Sequence, residues 1–271
     1  MKDCECVDFL QWALPRLRMR WPGFRKVRRQ VCKRVDRRLH DLGLPDVAAY
    51  RVRLDQHPEE WPILDSFCRI SISRFYRDRG VFDALRETVL PEIARRATAR
   101  GQREVHVWSA GCASGEEPYT LSIVWRLIVQ PAFPGVSLRI VATDADEGLL
   151  ARAQAGCYPA SSLKDLPVEW RSVAFTCSGN LHCLAAEYRD GIEFVQQDIR
   201  LRQPVGPFHL ILCRNLVFTY CDAVLQAELL ATICRRLLPG GYLVVGIHES
   251  LPPGDYGLSE CLPKTGIHEM R

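Results

Sequence analysis

No apolar run in this chain approaches the roughly 18 residues needed to span a bilayer, so no membrane insertion is expected. The first residues, MKDCECVDFLQW, place acidic side chains where a secretory signal carries its basic region. Export is therefore not expected, and the chain is expected in the cytoplasm. Cysteine is plentiful, at 12 residues, but the spacing of a metal or redox centre is missing. There is no C-x-x-C pair, and Cys4 and Cys6 have no second pair to complete a zinc site. No metal is expected, and the thiols are expected to act as buried, unpaired small hydrophobes in a reducing compartment. Internal repeats and low-complexity tracts are also absent.

What is present is an ordinary globular composition, 47% apolar and 25% charged, in a chain of 271 residues. That length suits one large domain or one domain with a smaller companion. The net charge of +4 hides an asymmetry. Between Leu14 and Arg53 there are 13 Lys/Arg and 3 Asp, a local balance of +10, which leaves −6 for the rest.

The basic end reads as helical. Phe24, Val27, Val31, Val35, Leu39 and Leu42 recur at three- and four-residue intervals, and Arg25, Arg28, Arg29, Lys33, Arg34, Arg37 and Arg38 fill the other sides. Gly43 stops the pattern, and shorter helices follow at about 47–54 and 59–68. After about Ser73 the pattern changes. A helix over 80–100 leads to strand candidates at 105–109, 138–143, 192–196, 209–213 and 242–247, with helices at 116–129, 147–155 and 222–238. Strands alternating with helices imply a parallel sheet covered on both faces. Residues 175–191 interrupt the alternation with Ser-Gly-Asn turn chemistry and read as a small antiparallel excursion. The stretch 254–271 reads as extended, with Gly266 as its turn.

In such sheets ligands bind beyond the carboxyl ends of the strands. The first strand runs into SAGCASGEEPYT, residues 109–120. Gly111 and Gly115 permit a sharp turn and close approach, and Pro118 suits a first helical turn. The turn does not match the dinucleotide fingerprint G-x-G-x-x-G. Glu116 and Glu117 are favoured by the helix dipole in any protein, yet as ligand groups they would repel a pyrophosphate and suit a cation. The second strand ends in ATDAD, where Asp144 stands 29 residues after Gly115. A carboxylate there is the expected partner of ribose hydroxyls, and also a common helix cap. A nucleoside joined to a cation describes S-adenosylmethionine (SAM).

The stretches VWSAGCASGEEPYTLSI, ATDAD, LLARAQAGCY, GPFHLILCRN and LLPGGYLVVGIHES, in this order, resemble the chemotaxis-receptor methyltransferases of the CheR type. The basic helix and ISISRFYRD resemble that family's helical domain and the segment that follows it. The resemblance implies an α/β fold: a Rossmann-like SAM-methyltransferase sheet over 71–271, a basic helical N-terminal domain over 1–70, and a short antiparallel β excursion near 174–191. It implies a SAM-dependent O-methyltransferase that esterifies glutamate side chains of a chemoreceptor-like protein. Carried over by position, Glu117 helps to hold SAM, Ala110 and Gly111 line its approach, and Asp144 takes the ribose. Asp198 lies beside the adenine and Ile199 packs on it, while Cys213, Arg214 and Asn215 line the pocket. Arg77 stands near the transferred methyl and the acceptor carboxylate, and Tyr220 near the same methyl.

The chain departs from the family in places. CRNLVFTYCD is one residue longer before its tyrosine than the family's C-R-N-x-x-x-Y-F, so an ungapped reading selects Thr219 in place of Tyr220. Ser71-Ile72-Ser73 lacks the amide of the family's T-N-x-T, and the short excursion puts docking of a receptor tail in doubt. His248-Glu249 is expected to be structural. Two other readings stand beside the first: a SAM enzyme acting on a small molecule or a different protein, and a non-catalytic SAM- or nucleic-acid-binding module. The basic face lacks the interleaved aromatics that stack on bases, so no nucleic acid is expected. The expected partner of a monomeric enzyme is an acidic protein acceptor, such as a chemoreceptor helical bundle.

Overall fold

The computed structural model describes residues 2–271, which form two compact units. The first comprises Met1–Ser71 together with Thr219–Gln226, and the second comprises Ile72–Phe218 with Ala227–Arg271.

The first unit is helical, with helices at Asp3–Ala13, Arg28–Asp41, Val47–Gln56 and Glu60–Phe67. Val31, Val35 and Leu39 turn into a core shared with Phe9, Leu10 and Tyr50, as their spacing predicts. The basic helix begins later than its apolar period suggests. Trp21–Phe24 is a separate short turn, and the long helix starts at Arg28. Gly23 in that turn has no room for a side chain, since a Cβ there would lie 2.3 Å from the Thr219 carbonyl oxygen. Asp46 caps the third helix by accepting from the Ala49 amide at 2.9 Å. At the centre, buried Glu60 accepts both arms of the Arg38 guanidinium, at 2.8 and 2.9 Å, and the Tyr50 hydroxyl at 2.9 Å. Arg38 holds the Glu60 carboxyl below its usual range against the opposing effect of burial.

The second unit is built on a seven-stranded sheet. Its strands are β1 (Glu104–Ala110), β2 (Ser137–Asp144), β6 (Ile192–Gln196), β7 (Phe208–Leu212), β8 (Leu237–Val244), β9 (Leu258–Leu262) and β10 (Ile267–Met270). The order is β6-β2-β1-β7-β8-β10-β9. The first five run parallel, and the β9–β10 hairpin places β10 antiparallel to β8. Strand order reverses between β1 and β7, which locates the switch point where such sheets bind ligands. The expected hairpin turn is present, with Gly266 at φ +70° and no room for a side chain against the Val245 carbonyl. The last parallel strand starts and ends earlier than 242–247, because residues 237–241 already extend beside Phe208.

A three-stranded sheet, β3 (Cys157–Pro159), β5 (Leu181–Leu184) and β4 (Phe175–Ser178), makes up the antiparallel excursion. Strand β3, three residues long, carries no periodicity that would announce it. The register sets Cys157 opposite Cys183, and the two form a disulfide. A second disulfide joins Cys6 to Cys32, on the first and second long helices of the helical unit. The expectation that all thiols are unpaired is corrected at these four positions. Cys68, Cys112, Cys213 and Cys221 are buried and form no disulfide. Among the described residues no helix is long and apolar enough to cross a membrane.

Candidate active site

The turn after β1 is tied down by its own amides. Gly111 and Cys112 both donate to the Thr143 carbonyl, at 2.8 and 3.0 Å, and Gly115 donates to Cys112 at 2.9 Å. Ala113 donates to one oxygen of Asp144 at 2.9 Å. These four groups are the ones a phosphate-binding turn would aim at its ligand. Here they are already satisfied, so the turn is no phosphate cradle. Gly111 adopts φ +74°, and a Cβ there would lie 2.7 Å from the Leu216 side chain, which accounts for glycine at this close approach. The Tyr158 hydroxyl donates to Ser114 at 2.7 Å and fixes the far side.

Asp144 ends β2 beside this turn. Its second oxygen accepts from the Asp146 amide at 3.0 Å, while Asp146 itself caps the following helix. The carboxylate is thus held in orientation by backbone donors at the edge of the turn.

The two glutamates that open the helix Glu116–Val124 do different things. Glu117 accepts from the Ser109 hydroxyl at 2.8 Å and from Arg214 at 2.9 Å. Arg214, with its side chain 3% exposed, also donates to Asp78 at 2.7 Å and to the Arg77 carbonyl at 3.0 Å, and its guanidinium lies 5.2 Å from the Phe82 ring centre. One cation therefore joins the ends of β1 and β7 to the segment that carries Arg77. Glu116 is the opposite case. It is 3% exposed, and its Oε2 has no hydrogen-bond partner among the described residues. Burial raises the Glu116 carboxyl above its ordinary value, while Ser73 and the charge of Arg152 pull it back down. A buried carboxylate oxygen without a donor is chemically suited to an ammonium group.

Arg77 sits on a strained turn. Tyr76 and Asp78, on either side of it, take left-handed φ values of 58° and 61°. The Tyr76 amide donates to the Thr120 hydroxyl at 3.1 Å and its phenol to Asp83 at 2.9 Å, and Asp78 is held by Arg214. The Arg77 guanidinium donates to the Ile72 carbonyl. Such over-determined strain is characteristic of functional positions.

The remaining positions fall as follows. Ala110 and Cys213 are buried at the ends of β1 and β7. Asn215 takes φ 54°, and its amide donates to Glu249 at 2.8 Å; Glu249 also accepts the Gly246 amide at 2.6 Å. Glu249 is thus structural, as expected, but it anchors the Asn215 turn itself. Asp198 is held by Arg200 through both carboxylate oxygens, with Ile199 buried next to it. Tyr220 belongs to the helical unit, where its ring lies 5.0 Å from Phe24 and its carbonyl accepts the Arg20 amide. Sequence reasoning names both glutamates as suited to a cation and carries only Glu117 over as a SAM residue; it does not single out Asp78, which pairs with Arg214. Among the described residues no group of three or more His, Cys, Asp and Glu could hold a metal ion.

A parallel sheet with this strand order, an amide-saturated acidic turn after its first strand and a carboxylate at the end of its second define a class, the SAM-dependent methyltransferases. The comparisons give the family. Residues 71–266 match "CheR methyltransferase, SAM binding domain", and the chain belongs to that family. It is 34% identical to the "Chemotaxis protein methyltransferase" of Listeria monocytogenes over 201 residues, 73% of each chain. It is 30% identical to the protein of the same name from Escherichia coli over 231 residues, 82% of this chain and 77% of that one.

Proposed function

We propose that the chain transfers the methyl group of SAM to glutamate side chains of a chemoreceptor-like protein, forming methyl esters. The observation that carries this reading is the Glu117–Arg214–Asp78 knot, which fastens Arg77 beside the cofactor turn. The names of the curated relatives support a chemotaxis acceptor.

SAM supplies a methyl group on a positively charged sulfur. Glu116 and Glu117 fit its cationic end, Asp144 its ribose, and Ile199 and Asp198 its adenine. The protein's own work is positioning and exclusion of water. A glutamate acceptor has a reference pKa near 4.3 and is ionised at neutral pH, so it needs no general base. Arg77 pairs with such a carboxylate by charge-assisted hydrogen bonds and aims it. Arginine, asparagine and tyrosine, the residues this reading assigns to the methyl, are not bases near neutral pH.

The basic helix supports an acidic partner. Arg28 is tied to Asp3, Arg34 to the Phe67 and Arg69 carbonyls, and Arg38 to Glu60. Arg29, Lys33 and Arg37 are exposed at four-residue intervals and form no ion pair among the described residues.

The test labels a chemoreceptor cytoplasmic fragment with methyl-labelled SAM, raises the pH and collects the volatile fraction. An ester releases labelled methanol. Label that resists alkali overturns the ester and favours a different acceptor, the reading suggested by Ser71-Ile72-Ser73. Arg77→Ala is expected to reduce turnover while leaving SAM affinity nearly unchanged. Comparing Tyr220→Phe with Thr219→Val decides which of the two serves the methyl: the more damaging change marks the residue.

A further inference from the structure

A groove of about 510 Å³ opens beside the Arg77 turn. Asp78 and Arg79 form one wall, and Lys164–Glu169 with Arg171 form the other. The walls are joined firmly. Arg74 pairs with Asp165 at 3.2 Å, the Phe75 amide donates to Ser162 at 3.0 Å, and Tyr76 packs edge-on against Trp170. Its charges sort into two sets. Asp78 and Asp165 are neutralised by Arg214 and Arg74. The Arg171 guanidinium is committed to the Lys164 and Leu166 carbonyls, which fixes the loop beneath Lys164. Left over are the Lys164 ammonium, with no partner among the described residues, and Arg79. The Arg79 side chain is 73% exposed and reaches Asp83 only at 3.8 Å. One exposed carboxylate, Glu169, opposes them. The Val168 side chain, 70% exposed, adds an apolar rim.

We propose that this groove docks the acidic stretch of acceptor polypeptide flanking the methylated glutamate, with Lys164 and Arg79 as the residues that select it. The inference rests on the protein-acceptor reading above. A side chain brought to Arg77 carries its neighbours with it, and an extended chain advances only about 3.3 Å per residue, so the flanking residues must lie on the surface next to Arg77. The groove begins at the next two residues, Asp78 and Arg79. Its unpaired Lys164 ammonium and the largely exposed, loosely paired Arg79 favour carboxylates, and its apolar lip favours a peptide over a small anion.

The experiment measures methylation of a chemoreceptor cytoplasmic fragment by the full chain and by the Arg79→Glu/Lys164→Glu double variant, with SAM affinity measured in parallel. The KM for the fragment is expected to rise about tenfold, since each exposed charge contact is worth a few-fold and reversal adds repulsion, while kcat and SAM affinity stay unchanged. Lys164→Arg should keep the wild-type KM. An unchanged KM in the double variant overturns the groove and leaves the methyl-ester reading standing; so does a fall in kcat alone. If the wild type does not methylate the fragment, that reading fails, and the groove is judged by binding of a short fluorescein-labelled peptide of glutamate and alanine. Loss of that binding in the double variant supports the groove. Equal binding by both proteins, or none by the wild type, overturns it.

Discussion

The molecule carries positive charge in two ways. Along the helix Arg28–Asp41 the cations Arg29, Lys33 and Arg37 stand in water without ion pairs among the described residues. At the carboxyl end of the sheet a single cation, Arg214, is almost wholly buried and holds Glu117, Asp78 and the Arg77 carbonyl together. An exposed charge is a long-range attractor whose loss costs the fold little. A buried, paired one fixes geometry, and its loss leaves partners uncompensated. On the proposed reading, the exposed row would find an acceptor and the buried knot would aim it.

Removing Arg214 is the strongest test of that contrast. Arg214→Met should destabilise the fold by about 3–5 kcal/mol, because Glu117 and Asp78 then face each other without their shared cation. Urea unfolding followed by circular dichroism measures this, and methyl transfer should be lost as well. A variant as stable as the parent would mean that the two carboxylates are adequately solvated and that the knot does not hold the Arg77 turn.

Asp144→Ala comes next. Loss of hydrogen bonds to a charged group, worth about 1.5–3 kcal/mol each, should weaken SAM binding by about 10- to 100-fold in calorimetric titration. An unchanged dissociation constant in a folded variant removes Asp144 from the ribose.

Glu116 sharpens the comparison from the anionic side. Its folded-state carboxyl titrates above the ordinary value of 4.5 because it is buried. Between that ordinary value and the raised one the folded state binds more protons than the unfolded state, so this group makes stability fall as pH rises through the window. Glu116→Gln should flatten that part of the pH–stability profile and leave the free protein slightly more stable at neutral pH. The same change should weaken SAM binding by about tenfold, through loss of a charged partner for the ammonium. Full SAM affinity in Glu116→Gln would return the ammonium to Glu117.

Much of this was legible in the chain, for reasons that are local. The 3–4 spacing of Val31, Val35 and Leu39 and the short apolar runs of the parallel strands each reflect burial of one face or both. Asp144 and the acidic turn could be found because they sit at strand ends. Long-range pairing left no such mark. Arg214 is 97 residues from Glu117 and 136 from Asp78, and no period in the sequence connects them. The same holds for Thr219–Gln226, which folds with the helical unit, and for the two disulfides, whose partners are each 26 residues apart. Glu116 and Glu117 are indistinguishable as letters; only the environment separates a buried acceptor from a tethered one.

The smallest effect on the fold, and the most selective on function, is expected at the exposed row of the basic helix. Arg28 is a poor choice for charge reversal, because its bidentate pair with Asp3 would be broken at the same time. Arg29→Glu, Lys33→Glu and Arg37→Glu change charge without removing an ion pair, so stability and SAM affinity should stay within experimental error. Methylation of an acidic acceptor should fall several-fold, chiefly through slower association. Exposed charges are screened beyond about 8–10 Å at physiological salt, so the wild-type advantage should shrink as salt rises, and the triple variant should be nearly indifferent to salt. Initial methylation rates of both proteins across a salt series measure this. Parallel salt curves for the two would mean that the row does not meet the acceptor. Tight binding of duplex DNA by the wild type at physiological salt, lost in the variant, would assign the row to nucleic acid instead.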